Sequence, residues 1–152
     1  FQYDTTTPEV FDLARRLTEF DVPVARLSRA LFEEHRFAYL QLLGEALANA
    51  ELCHDQAFVW TAVTQDMLAR HDVTIEEVEG LIDILRRTSE AEVTCVLKEE
   101  VDGTVRVSLR SLGAVDVRRI AEGHGGGGHR FAAGFTSELG IPTTVARIRA
   151  AL

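Results

Sequence analysis

The chain has 152 residues, of which 46% are hydrophobic and 26% charged, the composition of a globular protein long enough to bury a core. No apolar run approaches the roughly 20 residues that span a bilayer, and no basic-then-apolar signal opens the chain, so we expect a cytoplasmic protein with no membrane partner. The net charge of −8 divides into −11 over residues 1–101 and +3 over residues 102–152, so an anion must be met by a local C-terminal cluster; this favours a short or small anionic ligand over a long nucleic-acid track.

The chain opens on Phe1 rather than Met, and we expect a segment upstream of it. Thr7-Pro8-Glu9 is a helix start: a capping hydroxyl, proline at the first helical position, then an acid at the positive end of the dipole. Val10, Leu13, Ala14 and Leu17 follow at helical spacing. Pro23 opens a second helix through Leu27 and Leu31, and a third runs from about Arg36 to Glu51. The pattern changes at Ala57, where Phe58-Val59-Trp60-Thr61-Ala62-Val63 reads as a buried strand, with Trp60 a sheet-face residue. A helix is predicted from Val73-Thr74 to Arg86-Arg87, carrying Ile75, Val78, Leu81, Ile82 and Leu85. Two alternating runs, 92–100 and 104–111, flank Asp102-Gly103 and predict a hairpin. A short helix from Asp116, a strand near Phe135 and a helix from Pro142 complete the chain. The expected fold class is α/β: a mixed β-sheet flanked by helices from residue 56 onward, preceded by a helical connector arm over residues 1–55.

Cys53 and Cys95 are 42 positions apart and read as reduced thiols. No second Cys or His stands at ligand spacing from Cys53-His54-Asp55, so no metal site is expected there.

The sharpest feature is the run Gly123-His124-Gly125-Gly126-Gly127-Gly128-His129-Arg130. Consecutive glycines let backbone amides turn inward around an anion, although alone they read equally as a flexible loop. His129 through Ala133 is compatible with a helix whose free amides face the same point. The run is not a Walker loop, because no Lys-Ser/Thr follows it, and it does not follow a strand as a dinucleotide fingerprint does. Upstream, Ser108 and Arg110 share one face of the hairpin by alternation, and Arg110 offers a planar fork to a phosphate with Ser111 as a further donor.

Gly-Gly-Gly-His-x-x-Ala-Ala-Gly-Phe, from Gly126 to Phe135, resembles the signature of the DHH-associated C-terminal domain, and Ser108-Leu109-Arg110-Ser111 resembles its companion motif. The opening Phe1-x-Tyr3-x-x-Thr6-Thr7-Pro8 is similar to the segment after the last metal motif in the bacterial oligoribonuclease branch of the DHH phosphoesterases. The resemblance implies the substrate-binding part (residues 56–152) of a metal-dependent phosphodiesterase. Its substrates would be short RNA or small nucleotides such as phosphoadenosine phosphate and linear or cyclic di-AMP. It implies two divalent ions, manganese by family habit, held by a DHH domain upstream of Phe1, since no Asp-His-His run occurs here. By position it places substrate phosphate at Ser108, Arg110, Ser111, Gly125, Gly126, Gly127, Gly128, His129 and Arg130, with no catalytic or metal residue in this piece, which is expected to be inactive alone. The alternatives are a non-hydrolytic module like that of alanyl-tRNA synthetases and the C-terminal part of a RecJ-type exonuclease. The helical arm is expected to meet either the upstream domain or a second copy in a homodimer.

Overall fold

A computed structural model describes residues 6–152; the Phe1 and Tyr3 positions of the opening motif lie outside it. The chain divides into two compact units, one ending at His35 and the other running from Arg36 to Leu152.

The first unit contains helices α1 (Pro8–Thr18) and α2 (Val24–Phe32). Thr7 stands at the α1 N-cap, where its carbonyl oxygen accepts from the Val10 and Phe11 N–H groups; its hydroxyl makes no capping bond to the backbone. Both helices are amphipathic and neither buries a residue: Phe11, Leu13, Leu17, Leu27, Leu31 and Phe32 all remain exposed.

The second unit is a six-stranded sheet: β1 (Glu51–Cys53), β2 (Phe58–Val63), β3 (Val93–Glu99), β4 (Val105–Ser111), β5 (Gly127–His129) and β6 (Ala132–Ser137). The strand order is β1-β2-β3-β4-β6-β5, with β2 and β3 parallel and every other pair antiparallel. A parallel pair needs a crossover, and here it contains α4 (Gln65–His71) and α5 (Leu81–Leu85). The central strand β3 is buried from Val93 to Lys98, as its run of apolar residues requires. Helix α3 (Phe37–Ala48), with α4 and α5, covers one sheet face over β2 and β3, where Tyr39, Leu42, Val63, Leu68 and Val96 share a core. On the other face α6 (Val117–Glu122) and α7 (Ile141–Ala151) bury Ile120 and Ile148 against Leu97, Val107, Leu109 and Phe135. Trp60 is half-buried against this second core. Helix α3, read from sequence as part of the connector, packs into the unit of the sheet.

Three elements differ from expectation. The helix predicted over 73–87 is helical only in α5: Asp72, at φ 53°, closes α4, and the segment up to Gly80 is a string of turns closed by i→i−3 bonds such as that from Glu77 N–H to the Thr74 carbonyl. Helix α4 was legible but missed: Thr64 caps it through its hydroxyl, which accepts from Met67 N–H, and Asp66, Arg70 and His71 suit the dipole. The segment His129–Ala133 is a hairpin, β5 joined to β6 through Arg130-Phe131, and not a helix. The glycines explain why. A methyl group at Gly126 would lie 2.2 Å from the Gly134 carbonyl oxygen, and one at Gly128, whose φ is 137°, would lie 2.6 Å from that of Ala132. Only glycine lets the two segments approach so closely.

Candidate functional site

Helices α3 to α5 leave the β4-β6-β5 end of their sheet face uncovered, and the residues there are half-buried to exposed. The register brings the predicted residues together on it. Arg110 pairs with Ala132, which pairs with His129; one step along, Ser108 pairs with Gly134, which pairs with Gly127. Directly paired residues project to the same face. With strands about 4.8 Å apart, Arg110 and His129 flank a floor of small residues across roughly 10 Å. The result is a shallow trough with a cation and an imidazole on opposite walls.

Electrostatics single out Arg110. At the other end of this face, Lys98 is only 2% exposed and its Nζ lies 2.8 Å from Glu79 Oε1. Arg106 lies 3.1 Å from the same oxygen; its Nε is 2.9 Å from Glu100, close enough to ion-pair but unaligned for a hydrogen bond. These two cations are neutralised by carboxylates. Arg110 makes no ion pair among the described residues, and its one bond is from Nη1 to the Leu109 carbonyl at 3.0 Å. Its remaining N–H groups are free for an anion.

The other predicted residues divide. Gly125, at φ 79°, carries the turn from α6 towards β5, Gly126 leads into that strand, and Gly127 and Gly128 belong to the edge of the sheet rather than to a cradle ahead of a helix. An edge strand still directs half of its backbone donors away from the sheet. Ser111 lies on the face opposite Ser108 and Arg110, and its hydroxyl donates to Glu92 Oε1 at 2.8 Å. Arg130 lies in the turn beyond His129. Its Nη2 donates to the Gly113 carbonyl at 3.0 Å, its guanidinium is 5.7 Å from the Phe131 ring centroid, and it lines a groove of about 430 Å³ with Asp116 and Arg119. His124 packs: Nδ1 lies 2.8 Å from the Ile120 carbonyl and the ring stacks on Phe135.

Sequence reasoning missed Glu92, whose Oε1 also accepts from the N–H groups of Gly113, Ala114 and Val115. Burial alone would raise its pKa, but the bonds from Ser111, Val115, Gly113 and Ala114 together hold it below the usual carboxylate value. A single glutamate at a strand start carries no pattern that would have flagged it. No group of three or more His, Cys, Asp or Glu stands at metal-binding distance among the described residues, so the two ions implied by the resemblance find no ligand set there. Cys95 is buried, which raises its thiol pKa and leaves it inert.

The DHHA1 domain family profile matches residues 56–152. The chain is 31% identical over 136 residues to the bifunctional oligoribonuclease and PAP phosphatase NrnA of Thermus thermophilus, covering 90% of this chain and 40% of that protein. It is 28% identical over 137 residues to the probable bifunctional oligoribonuclease and PAP phosphatase NrnA of Streptococcus mutans, covering 90% and 43%. This chain thus spans about four-tenths of the length of these relatives. An exopolyphosphatase-related protein from Bacteroides fragilis shares the fold, with a TM-score of 0.92 at 22% identity over 99% of this chain and 44% of that one.

Proposed function

Because this chain belongs to the DHHA1 domain family, we propose that it is the substrate-binding part of a phosphoesterase that hydrolyses short oligoribonucleotides or small nucleotides such as phosphoadenosine phosphate or linear di-AMP. The observation that carries this reading is the placement of Arg110, without a carboxylate partner among the described residues, opposite His129 across a floor of alanine and glycine. Side chains rooted on strands about 10 Å apart can converge their donors on one phosphate between them. The small floor residues leave room above the sheet for sugar and base.

The division of labour follows from the residues present. This chain binds and orients: Arg110 supplies bidentate donors, His129 a second donor, and Ser108 a hydroxyl on the same face. Activation of water requires a stronger centre than any group on this face. The reading assigns that role to two divalent ions, manganese in the first instance, in a DHH domain outside the chain. The apolar arm of α1 and α2 is a contact surface for that domain or for a second copy.

The test is hydrolysis of 5′-phosphorylated diadenylate with manganese, run on this chain and on the full-length protein side by side. Activity in the full-length protein alone is the expected result. Activity in this chain alone would reveal a catalytic centre not described above, and activity in neither would favour a non-hydrolytic nucleic-acid-binding module.

A further inference from the structure

The trough has a direction. Its first row is Arg110, Ala132 and His129, and the next along the strands is Ser108, Gly134 and Gly127, a floor with a single short side chain. Beyond that row side chains return, where Arg106 pairs with Lys98 on one side and Thr136 on the other. Arg106 is four residues from Arg110, about 13 Å along the strand. In the other direction the floor ends at once, because β4 leaves the sheet at Ser111 and β5 joins β6 through Arg130-Phe131. A ligand held between Arg110 and His129 therefore has sheet beneath it only on the Arg106 side.

The Arg106 row is acidic on balance. Lys98 Nζ and Arg106 Nη2 meet on Glu79 Oε1 at 2.8 and 3.1 Å, and Arg106 Nε lies 2.9 Å from Glu100 Oε1. Lys98 is 2% exposed whereas the Glu79 side chain keeps 55% of its surface, so solvent meets the carboxylate of this pair and not the ammonium. Glu76 stands close as well: its own backbone N–H and Thr74 hold its carboxyl below the ordinary value, and Arg106 adds to the effect. Glu76, Glu79 and Glu100 against Lys98 and Arg106 leave one negative charge. Glu76 and Glu79 belong to the turns over 74–80, a stretch with no Lys or Arg. The face thus changes sign along β4, from the unpaired cation Arg110 to a carboxylate wall.

We propose that Glu79, with Glu76 and Glu100, limits the length of the substrate: a dinucleotide lies over the glycine row, and the carboxylates at the Arg106 row repel the further phosphates of a longer chain. The proposal rests on the phosphoesterase reading above. Glu79 acts on specificity through its charge and makes no contact with the preferred substrate, and Arg106 moderates the wall by neutralising part of it.

The experiment compares kcat/KM of the full-length protein, with manganese, for 5′-phosphorylated diadenylate and 5′-phosphorylated pentaadenylate at low ionic strength. Wild type should prefer the shorter chain, and the preference should narrow as salt screens the wall. Glu79→Gln and Glu76→Gln should each narrow it about threefold, the size of one screened surface charge interaction. Arg106→Gln, which unmasks Glu79 and Glu100, should widen it by a similar factor. A merely structural role lowers both substrates together and leaves their ratio alone. Glu76→Gln breaks no bond to either cation, so it carries the test if Glu79→Gln, which leaves Lys98 only an amide oxygen, does not fold. A ratio unmoved by Glu76→Gln, a wild-type preference that salt does not narrow, or a shift in the same direction from Arg106→Gln would each overturn the proposal. A separate result, Arg110→Ala leaving both substrates unaffected, would instead remove the phosphate-site reading beneath it.

Discussion

Arg110 and Arg106 are four residues apart on one strand and one face, yet only Arg106 is surrounded by carboxylates. That difference is why the proposed function gives the binding role to Arg110 and not to Arg106. Arg110→Ala in the full-length protein is expected to lose about 1.5–3 kcal/mol of phosphate interaction, the range for hydrogen bonds to charged groups. Measured as kcat/KM on the phosphorylated diadenylate, unchanged turnover and affinity would refute the assignment. Glu92 makes a second prediction, in pH. Its pKa in the fold lies below the ordinary value of 4.5, so the folded state binds fewer protons than the unfolded one in acid. Its contribution to stability is whole above that ordinary value and fades as the pH falls through the lowered one. Urea unfolding taken from neutral pH down through the carboxylate range should therefore show wild type losing more stability than Glu92→Gln. Parallel curves for the two would mean that the carboxylate does not hold the loop of Gly113, Ala114 and Val115. Arg110 was readable from its motif, whereas Glu92 was not, because its four partners lie 19 to 23 residues away and meet it only in the fold.

At the scale of elements, the β5–β6 hairpin decides where the site lies. A glycine run beside His129 suggested amides at a helix start, yet the glycines serve close backbone approach between two strands. Gly128→Ala should therefore destabilise the protein: overpacking alone costs about 1–3 kcal/mol, and the residue's φ of 137° adds strain for any side chain. A melting temperature equal to wild type in that variant would contradict the hairpin. The β3–β4 hairpin, by contrast, was plain from Asp102-Gly103 between alternating runs, since turn chemistry and period-2 patterning are both local. The failed helix over 73–87 has the opposite lesson. Of the apolar residues at helical spacing there, Val78 is buried from the turns and Leu81, Ile82 and Leu85 from the short α5, and all four reach the same core. Periodicity reports which side is buried, while the backbone bonds decide the conformation, and from Thr74 to Leu81 they close i→i−3 turns rather than a continuous helix.

For the whole molecule, the arm of α1 and α2 exposes Phe11, Leu17, Phe20, Leu31 and Phe32, more large apolar side chains than a solvent-facing pair of helices ordinarily carries. Sedimentation of this chain over a wide concentration range should show self-association, and a single monomeric species throughout would count against a second copy as the arm's cover. The second unit is self-sufficient by comparison, with a sheet packed on both faces and two cores. What the amino-acid sequence determined by itself was the α/β class, the central strands, the family resemblance and the identity of Arg110 and His129, because strand patterning, turn residues and motif spacing are properties of neighbours along the chain. Only the tertiary structure decided that Arg110 and His129 face each other across Ala132, that Ser111 is turned away towards Glu92, and that Arg106 and Lys98 are neutralised. Those facts depend on register between β4, β6 and β5 and on burial of charges beside distant carboxylates, and long-range pairing of that kind leaves no period in a sequence.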